Sequence, residues 1–333
     1  MVYISEENYN QRMQELAEPN WDKGTIGFFQ GAQDIRIRYG FFPSEGGDKT
    51  AILLSGQSEF MERYKELIYD FNSRGYSVFT YDHRGQGGSG RISSTEKTTD
   101  VCNFWDYVAD LELFIRDVVQ KKPREKPFLF GHSMGGAIAA GYLTRRPESI
   151  QGAVLNAPML GIISPLPLAS DSVTSKIAKV LGSLPIIKKQ RAPGRRKISQ
   201  PNEYLKLGTT HSEARFNYLS QIAQDRSELV IDVASATFRM GGESYKFFDD
   251  LFRKGVIESI PTPILIMQAS KDTLVCNEAM HRFHHRAPNS KLIKISPQTG
   301  ESYHELHFEI DEIRIKTLDA VFAFFQESPQ TLV

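Results

Sequence analysis

The chain has 333 residues with 40 basic and 40 acidic side chains, so its formal net charge at pH 7 is zero. That balance supplies no global field to draw nucleic acid, and 40% hydrophobic with 24% charged residues is the make-up of a globular protein with a sizeable core. No run of about 18 apolar residues marks a spanning helix, and the opening MVYISEENYNQRMQELAEPNW lacks the basic and then apolar stretches of a secretory signal.

Residues 1–22 read as an amphipathic or loose arm. Residues 25–30 and 35–42 have strand character and are joined by Gly31-Ala32-Gln33-Asp34, a hairpin turn. Residues 50–54 (TAILL) form an apolar strand, followed by the loop Ser55-Gly56-Gln57-Ser58-Glu59. A helix over 62–73 and a strand over 77–81 come next, then a glycine-rich loop from Asp82 to Gly90. Apolar residues at 104, 107, 108, 111, 114, 115 and 118 give residues 103–120 a helical face. Residues 128–130 are a buried strand, 137–143 (AIAAGYL) a buried helix, and 153–156 the start of another strand. From 159 to about 259 the pattern is helical, with no buried strand. It resumes with a strand at 264–268, a helix at 277–286, a strand at 291–295 and a last helix at 308–326. This alternation predicts an α/β fold with a mostly parallel sheet covered by helices on both faces. The expected layout is a core of residues 1–158 and 259–333 with a helical cap, residues 159–258, inserted above the strand C-termini where ligands of open sheets bind.

The chemistry concentrates at Gly131-His132-Ser133-Met134-Gly135-Gly136. A serine at the tightest point between a buried strand and a buried helix is a nucleophile elbow. The turn forces the serine into a sparsely allowed conformation, and glycines two residues away on each side let strand and helix approach. A serine hydroxyl needs a base, and the base needs a group to orient it. In this architecture the chain order is Ser, acid, His. Asp272 follows the strand at 264–268, and His304 follows the strand at 291–295, with His307 as the second choice. Asp82 also ends a strand but precedes the serine, and fits a loop-shaping role. The oxyanion donors are expected to be the backbone N–H groups of Met134 and Gln57. No cofactor is called for, and Ser at the elbow excludes the dehalogenase and epoxide-hydrolase chemistries that place Asp there.

Two other clusters read as structural. His304-Glu305-Leu306-His307 is one residue short of the HExxH zinc spacing, so its imidazoles do not share a helix face. His281, His284 and His285 sit in a charged helix without a carboxylate pattern, so no metal site is expected. Cys102 and Cys276 stand in no metal or redox spacing and read as buried or half-buried thiols of a reducing, cytoplasmic compartment. Residues 176–197 carry Lys176, Lys179, Lys188, Lys189, Arg191, Arg195, Arg196 and Lys197 with no acid, interleaved with apolar side chains. That pattern suits a lid over an amphiphile or peripheral contact with an anionic membrane surface, although Pro185 and Pro193 argue against one continuous helix.

Four stretches carry a family resemblance: YDHRGQGGSGR at 81–91, FGHSMGG at 130–136, VLNAPMLGI at 154–162 and YHELHFEIDEIR at 303–314. Together they resemble the α/β-hydrolase branch of the L2-type lysophospholipases and the monoacylglycerol lipases, over residues 25–326. The resemblance implies an α/β-hydrolase fold and Ser133, Asp272 and His304 as nucleophile, acid and base. It also implies hydrolysis of the acyl ester of single-chain lipids, lysophospholipids first. Monoacylglycerol lipases carry His-Gly-x-x-Glu where this chain has Ser55-Gly56-Gln57-Ser58-Glu59. The alternatives are a monoacylglycerol lipase, a small-ester carboxylesterase, a proline-type aminopeptidase, or a non-catalytic lipid- or partner-binding protein of this fold.

Overall fold

The computed structural model describes residues 3–92, 98–121, 125–163, 171–192, 209–230 and 236–328. Its eight strands are β1 Thr25–Gln30, β2 Arg36–Phe42, β3 Lys49–Leu54, β4 Tyr76–Tyr81, β5 Phe128–His132, β6 Ala153–Asn156, β7 Ile264–Ala269 and β8 Ser290–Ile295. They form one sheet in the order β1-β2-β4-β3-β5-β6-β7-β8. β2 runs antiparallel to β1 and β4, and every later pairing is parallel.

The central strands read as continuous apolar runs because both of their faces are covered. Ile52 and Leu54 of β3 point into one cluster, with Val108 and Leu111 of α1 (Trp105–Asp117), Ile138 of α2 (Met134–Leu143) and Phe283 of α3 (Asn277–Arg286). Ala51 and Leu53 point into the other, with Leu67 and Phe71 of the helix Lys65–Asn72 and Phe322 and Phe325 of the final helix Asp311–Glu327. The period-2 alternation of a strand thus feeds two cores from one hexapeptide.

Between β6 and β7 lie α4 (Asp171–Ser183), α5 (Glu213–Asp225) and α6 (Phe238–Leu251), with no named strand among the described residues of that stretch. α4 and α6 meet where a Cβ on Gly182 would lie 3.1 Å from the Gly242 Cα, a close approach that only glycine permits. α6 also inserts Phe247 against Phe104, ring centroids 4.5 Å apart, so it shares the sheet's own core.

Several expectations need correction. Of the two readings of the N-terminal arm, the amphipathic one holds and the loose one does not: Tyr9, Met13 and Ala17 are buried in a small cluster of their own. The helix after Ser133 starts at Met134 rather than at 137, and the last helix starts at Asp311, because Leu306–Phe308 forms a separate 3-10 turn. Cys102 is exposed rather than buried, and Cys276 is half-buried; both are free thiols. As Pro185 leads one to expect, the basic stretch is not one continuous helix: it is helical only to Ser183, and residues 185–189 form turns ahead of Arg191. Arg195, Arg196 and Lys197 lie outside the described residues.

Candidate active site

Ser133 sits between β5 and α2 with φ 52° and ψ −115°. A non-glycine residue in this region is strained, and the surroundings must hold it there. Ser133 N–H donates to the Asn156 carbonyl at 3.0 Å, while its own carbonyl accepts from Met159 N–H at 2.9 Å and Ala137 N–H at 3.2 Å. The flanking glycines are in direct contact. A Cβ on Gly131 would lie 2.6 Å from the Gly135 carbonyl oxygen, and one on Gly135 would lie 2.3 Å from the Leu54 carbonyl oxygen. Both obstacles are backbone and cannot move aside.

Asp272 and His304 come together on the loops after β7 and β8. His304 Nδ1 donates to Asp272 Oδ2 at 2.6 Å. Asp272 Oδ1 accepts from Leu274 N–H at 2.8 Å and Val275 N–H at 3.0 Å, so the carboxylate is held from both sides. Burial pushes the Asp272 carboxyl up, but the His304 imidazole and the two N–H groups outweigh it and leave the carboxyl below its ordinary value. Burial pushes the His304 imidazole down, and the Asp272 charge and hydrogen bond reverse that, leaving it above its ordinary value. The imidazole ring of His132, the neighbour of Ser133, lies 4.8 Å from that of His304. Among the described residues no hydrogen bond joins Ser133 Oγ to His304. Such bonds are often long in a free enzyme and tighten when substrate arrives.

The loop after β3 is fixed by four contacts. Gly56 N–H donates to Glu59 Oε2 at 2.6 Å, and Tyr64 Oη–H donates to the same oxygen at 2.6 Å. Ser58 N–H donates to Gln86 Oε1, and His83 Nε2–H donates to the Ser55 carbonyl at 3.0 Å. The N–H groups on either side of Gln57 are therefore engaged, whereas Gln57 N–H has no acceptor among the described residues. Met134, the first residue of α2, likewise has an N–H that no earlier turn of the helix satisfies.

His307 is fully buried away from the carboxylate. Its Nδ1 accepts from Asn156 Nδ2 at 2.9 Å, and its ring stacks on Tyr64. Burial, with nearby His132 and Arg314, holds it well below the ordinary histidine range. Asp82 accepts from Met61 N–H, Gly88 N–H and Arg38 Nη1, which ties the glycine-rich loop to β2 and to the turn after β3. His284 Nδ1 is engaged with Ser290 Oγ at 2.8 Å. Among the described residues no group of three or more metal-ligating side chains converges.

Two serines escaped the sequence reading. Ser270 N–H donates to Ser302 Oγ at 2.8 Å, and Ser302 N–H donates to Ser270 Oγ at 2.7 Å. Ser302 Oγ–H also donates to the Ile295 carbonyl at 2.6 Å. The pair binds the β7 loop to the β8 loop. A sequence sign was present: each serine stands two residues before its charged partner, Ser270 before Asp272 and Ser302 before His304. Glu59, which organises the loop around Gln57, was also missed as a functional position.

Comparison with known proteins shows the family and the fold. A family model described as "Serine aminopeptidase, S33" (Hydrolase_4) matches residues 47–311. Lysophospholipase L2 of Escherichia coli (strain K12) is 30% identical over 317 residues, spanning 92% of this chain and 88% of the relative. Monoglyceride lipase of Homo sapiens is 28% identical over 286 residues, spanning 82% of this chain and 81% of the relative. Among solved structures, a soluble variant of monoglyceride lipase from Saccharomyces cerevisiae in complex with a substrate analog superposes with a TM-score of 0.70 at 20% identity. That match covers 92% of this chain and 95% of the other. The monoacylglycerol lipase of Paleococcus ferrophilus superposes with a TM-score of 0.66 at 22% identity, covering 88% and 99%. The fold is that of the α/β-hydrolases, and the chain belongs to the serine aminopeptidase S33 family of hydrolases.

Proposed function

We propose that the protein is a serine ester hydrolase that removes the acyl chain of single-chain lipids, lysophospholipids first. The 2.6 Å bond from His304 to Asp272 supports the reading most, because it orients an imidazole whose ring lies 4.8 Å from that of His132, the residue before the elbow serine. In the first step His304 Nε2 takes the Ser133 proton as Oγ attacks the ester carbonyl, and Asp272 stabilises the resulting imidazolium. Met134 N–H and Gln57 N–H receive the oxyanion. The tetrahedral intermediate collapses as His304 returns the proton to the leaving alcohol, giving an acyl-enzyme. Water, deprotonated by His304, then attacks the acyl carbon, and the acyl–Oγ bond breaks as His304 returns the proton to Ser133 Oγ, releasing the fatty acid. Ser133→Ala should lower kcat by about six decades. Side-by-side turnover of lysophosphatidylcholine, monoacylglycerol and a prolyl amide checks the substrate class. Full esterase activity in the Ser133→Ala protein, or failure of a fluorophosphonate to label Ser133, would sink the reading in favour of a non-catalytic binding protein.

We assign residues 159–258 to a cap and residues 1–158 and 259–333 to the hydrolase core. The cap's outer surface supports a peripheral membrane contact from a cytoplasmic location. No helix among the described residues is long and apolar enough to cross a bilayer. Val173, Ile177, Val180 and Leu184 of α4 and its C-terminal extension are all exposed at spacings of four, three and four, and Ile186 is 86% exposed. Lys188, Lys189 and Arg191 follow, and residues 172–192 contain no acid. An apolar stripe with basic flanks suits an anionic lipid surface. Liposomes containing anionic lipid should retain the protein in flotation assays, and Val180→Glu with Ile186→Glu should release it. Equal flotation of that double variant would refute the contact.

A further inference from the structure

A cavity of about 490 Å³ opens between the segment after β6 and helices α3, α4 and α6, and none of Ser133, Asp272 and His304 lines it. Its volume falls within the about 300–1,000 Å³ of small-ligand sites. Its wall has two chemistries. Leu160, Ile162, Tyr245, Phe248 and Phe252 give it an apolar side. Lys176, Lys179, Arg282 and Arg286 face one carboxylate, Asp249, on the other.

The four cations are not equivalent. Lys179 Nζ is bonded to Asp249 Oδ2 at 2.5 Å. Arg286 is held by Glu258 at 2.8 Å and by the Phe252 and Arg253 carbonyls. Lys176 and Arg282 have no carboxylate partner among the described residues, and the Arg282 guanidinium carbon lies 5.3 Å from the centre of the Phe252 ring. Two uncompensated cations therefore stand beside an apolar wall, which matches an acidic head on a hydrocarbon chain. The cavity floor is also tied to the candidate active site. Gly161 carbonyl accepts from Cys276 N–H at 3.0 Å, and Ile163 N–H donates to the Leu274 carbonyl at 3.1 Å, on the loop that Asp272 caps.

We propose that this cavity is a second lipid site, which binds a single-chain amphiphile by its acidic head. The head lies between Lys176 and Arg282, and the chain runs along Leu160, Phe248 and Phe252. The chemistry fits the carboxylate of a released fatty acid and the phosphate of a lysophospholipid. The site is read from its own lining; only the source of the amphiphile rests on the lipid-ester reading above.

Calorimetric titration of the Ser133→Ala protein, below micelle-forming concentrations, tests this without turnover. The ligands are oleate, oleoyl lysophosphatidate, neutral monoolein and inorganic phosphate. Oleate or lysophosphatidate should bind at least tenfold more tightly than monoolein and than phosphate, and the tighter of the two identifies the source. Lys176→Gln with Arg282→Gln should weaken that binding at least tenfold, and Ile162→Trp, which fills the apolar side, should block it. Monoolein or phosphate binding as tightly as the acidic lipids would overturn the proposal. So would unchanged affinity in the charge variant or in Ile162→Trp. Fluorophosphonate labelling of the charge variant with Ser133 intact reports on its fold. Loss of labelling in the unsubstituted protein speaks against the hydrolase reading and leaves the binding result standing.

Discussion

Burial disfavours the charged forms of both Asp272 and His304, and each shifts the other's titration back toward its charged form. In the proposed mechanism His304 acts as the neutral imidazole, so kcat/KM should rise with pH through an inflection above the ordinary histidine value of 6.5. Asp272→Asn removes the charge that lifts it. The inflection should then fall, because burial is opposed only by the weaker pull of the Glu305 and Glu59 charges, and kcat should drop by about 10⁴. A pH–rate profile of the two proteins decides this, and an unmoved inflection would show that another group is titrating. The same pair contributes to stability with opposite signs. The raised His304 stabilises fully below its unfolded value and loses that contribution as pH rises through its folded value. The lowered Asp272 stabilises above its unfolded value and loses it as pH falls. Their joint contribution is therefore greatest between about 3.9 and about 6.5. His132 does not take part: burial brings it down to about 4, so it stays neutral throughout the working range.

At the scale of strands and loops, the site is two turns held in register by Ser270 and Ser302. Ser302→Ala deletes the acceptor for Ser270 N–H and the donor to the Ile295 carbonyl, both buried or half-buried, and should cost about 1–3 kcal/mol of stability. If the serine also positions chemistry, kcat falls by roughly 10–100-fold at unchanged KM, and the His304 inflection drifts down toward 6.5 as its bond to Asp272 loosens. A purely structural serine would lower the melting temperature and leave the inflection alone. This element shows where sequence reading stops. Ser133, Asp272 and His304 are legible because each follows a short apolar strand in a fixed chain order. The glycines of the elbow are legible because close approach leaves no other residue type. The Ser270–Ser302 exchange joins turns 32 residues apart, and no local pattern encodes it. Gln57 is legible from its place in the loop after the third strand and from Gly56 before it. What leaves its N–H without an acceptor is Glu59 taking the Gly56 N–H and Gln86, 28 residues away, taking that of Ser58.

Across the whole molecule, the inserted helices are attached to the core in different ways. α6 shares the apolar core, whereas α5 joins a small apolar cluster through Ile222 and Phe60 and is anchored further by a buried arginine. Arg215 Nη2 reaches Glu66 Oε1 at 3.0 Å, the Ile4 carbonyl at 3.0 Å and Asp311 Oδ1 at 2.9 Å, and Nη1 reaches the Glu309 carbonyl at 2.9 Å. One guanidinium thus joins α5 to the N-terminal arm, the helix Lys65–Asn72 and the start of the final helix. Those partners are scattered from residue 4 to residue 311, so the burial of Arg215 cannot be read from its neighbours in sequence. The burial of the N-terminal arm's apolar face follows from the same cluster, since Tyr9 Oη–H donates to Glu66 Oε2 at 2.8 Å. Arg215→Ala would leave Glu66, whose side chain is 1% exposed, with only the Tyr9 hydroxyl and the 3.4 Å contact to Arg314. Breaking a buried pair from one side costs about 3–5 kcal/mol, which for a chain of this size is a fall in melting temperature of roughly 4–7 °C. Adding Glu66→Gln removes the stranded charge and should recover part of that loss. Thermal melts of the single and double variants test the coupling directly. A fall under about 2 °C for Arg215→Ala, or a double variant no more stable than the single, would mean that α5 is held by its apolar contacts and not by this charge.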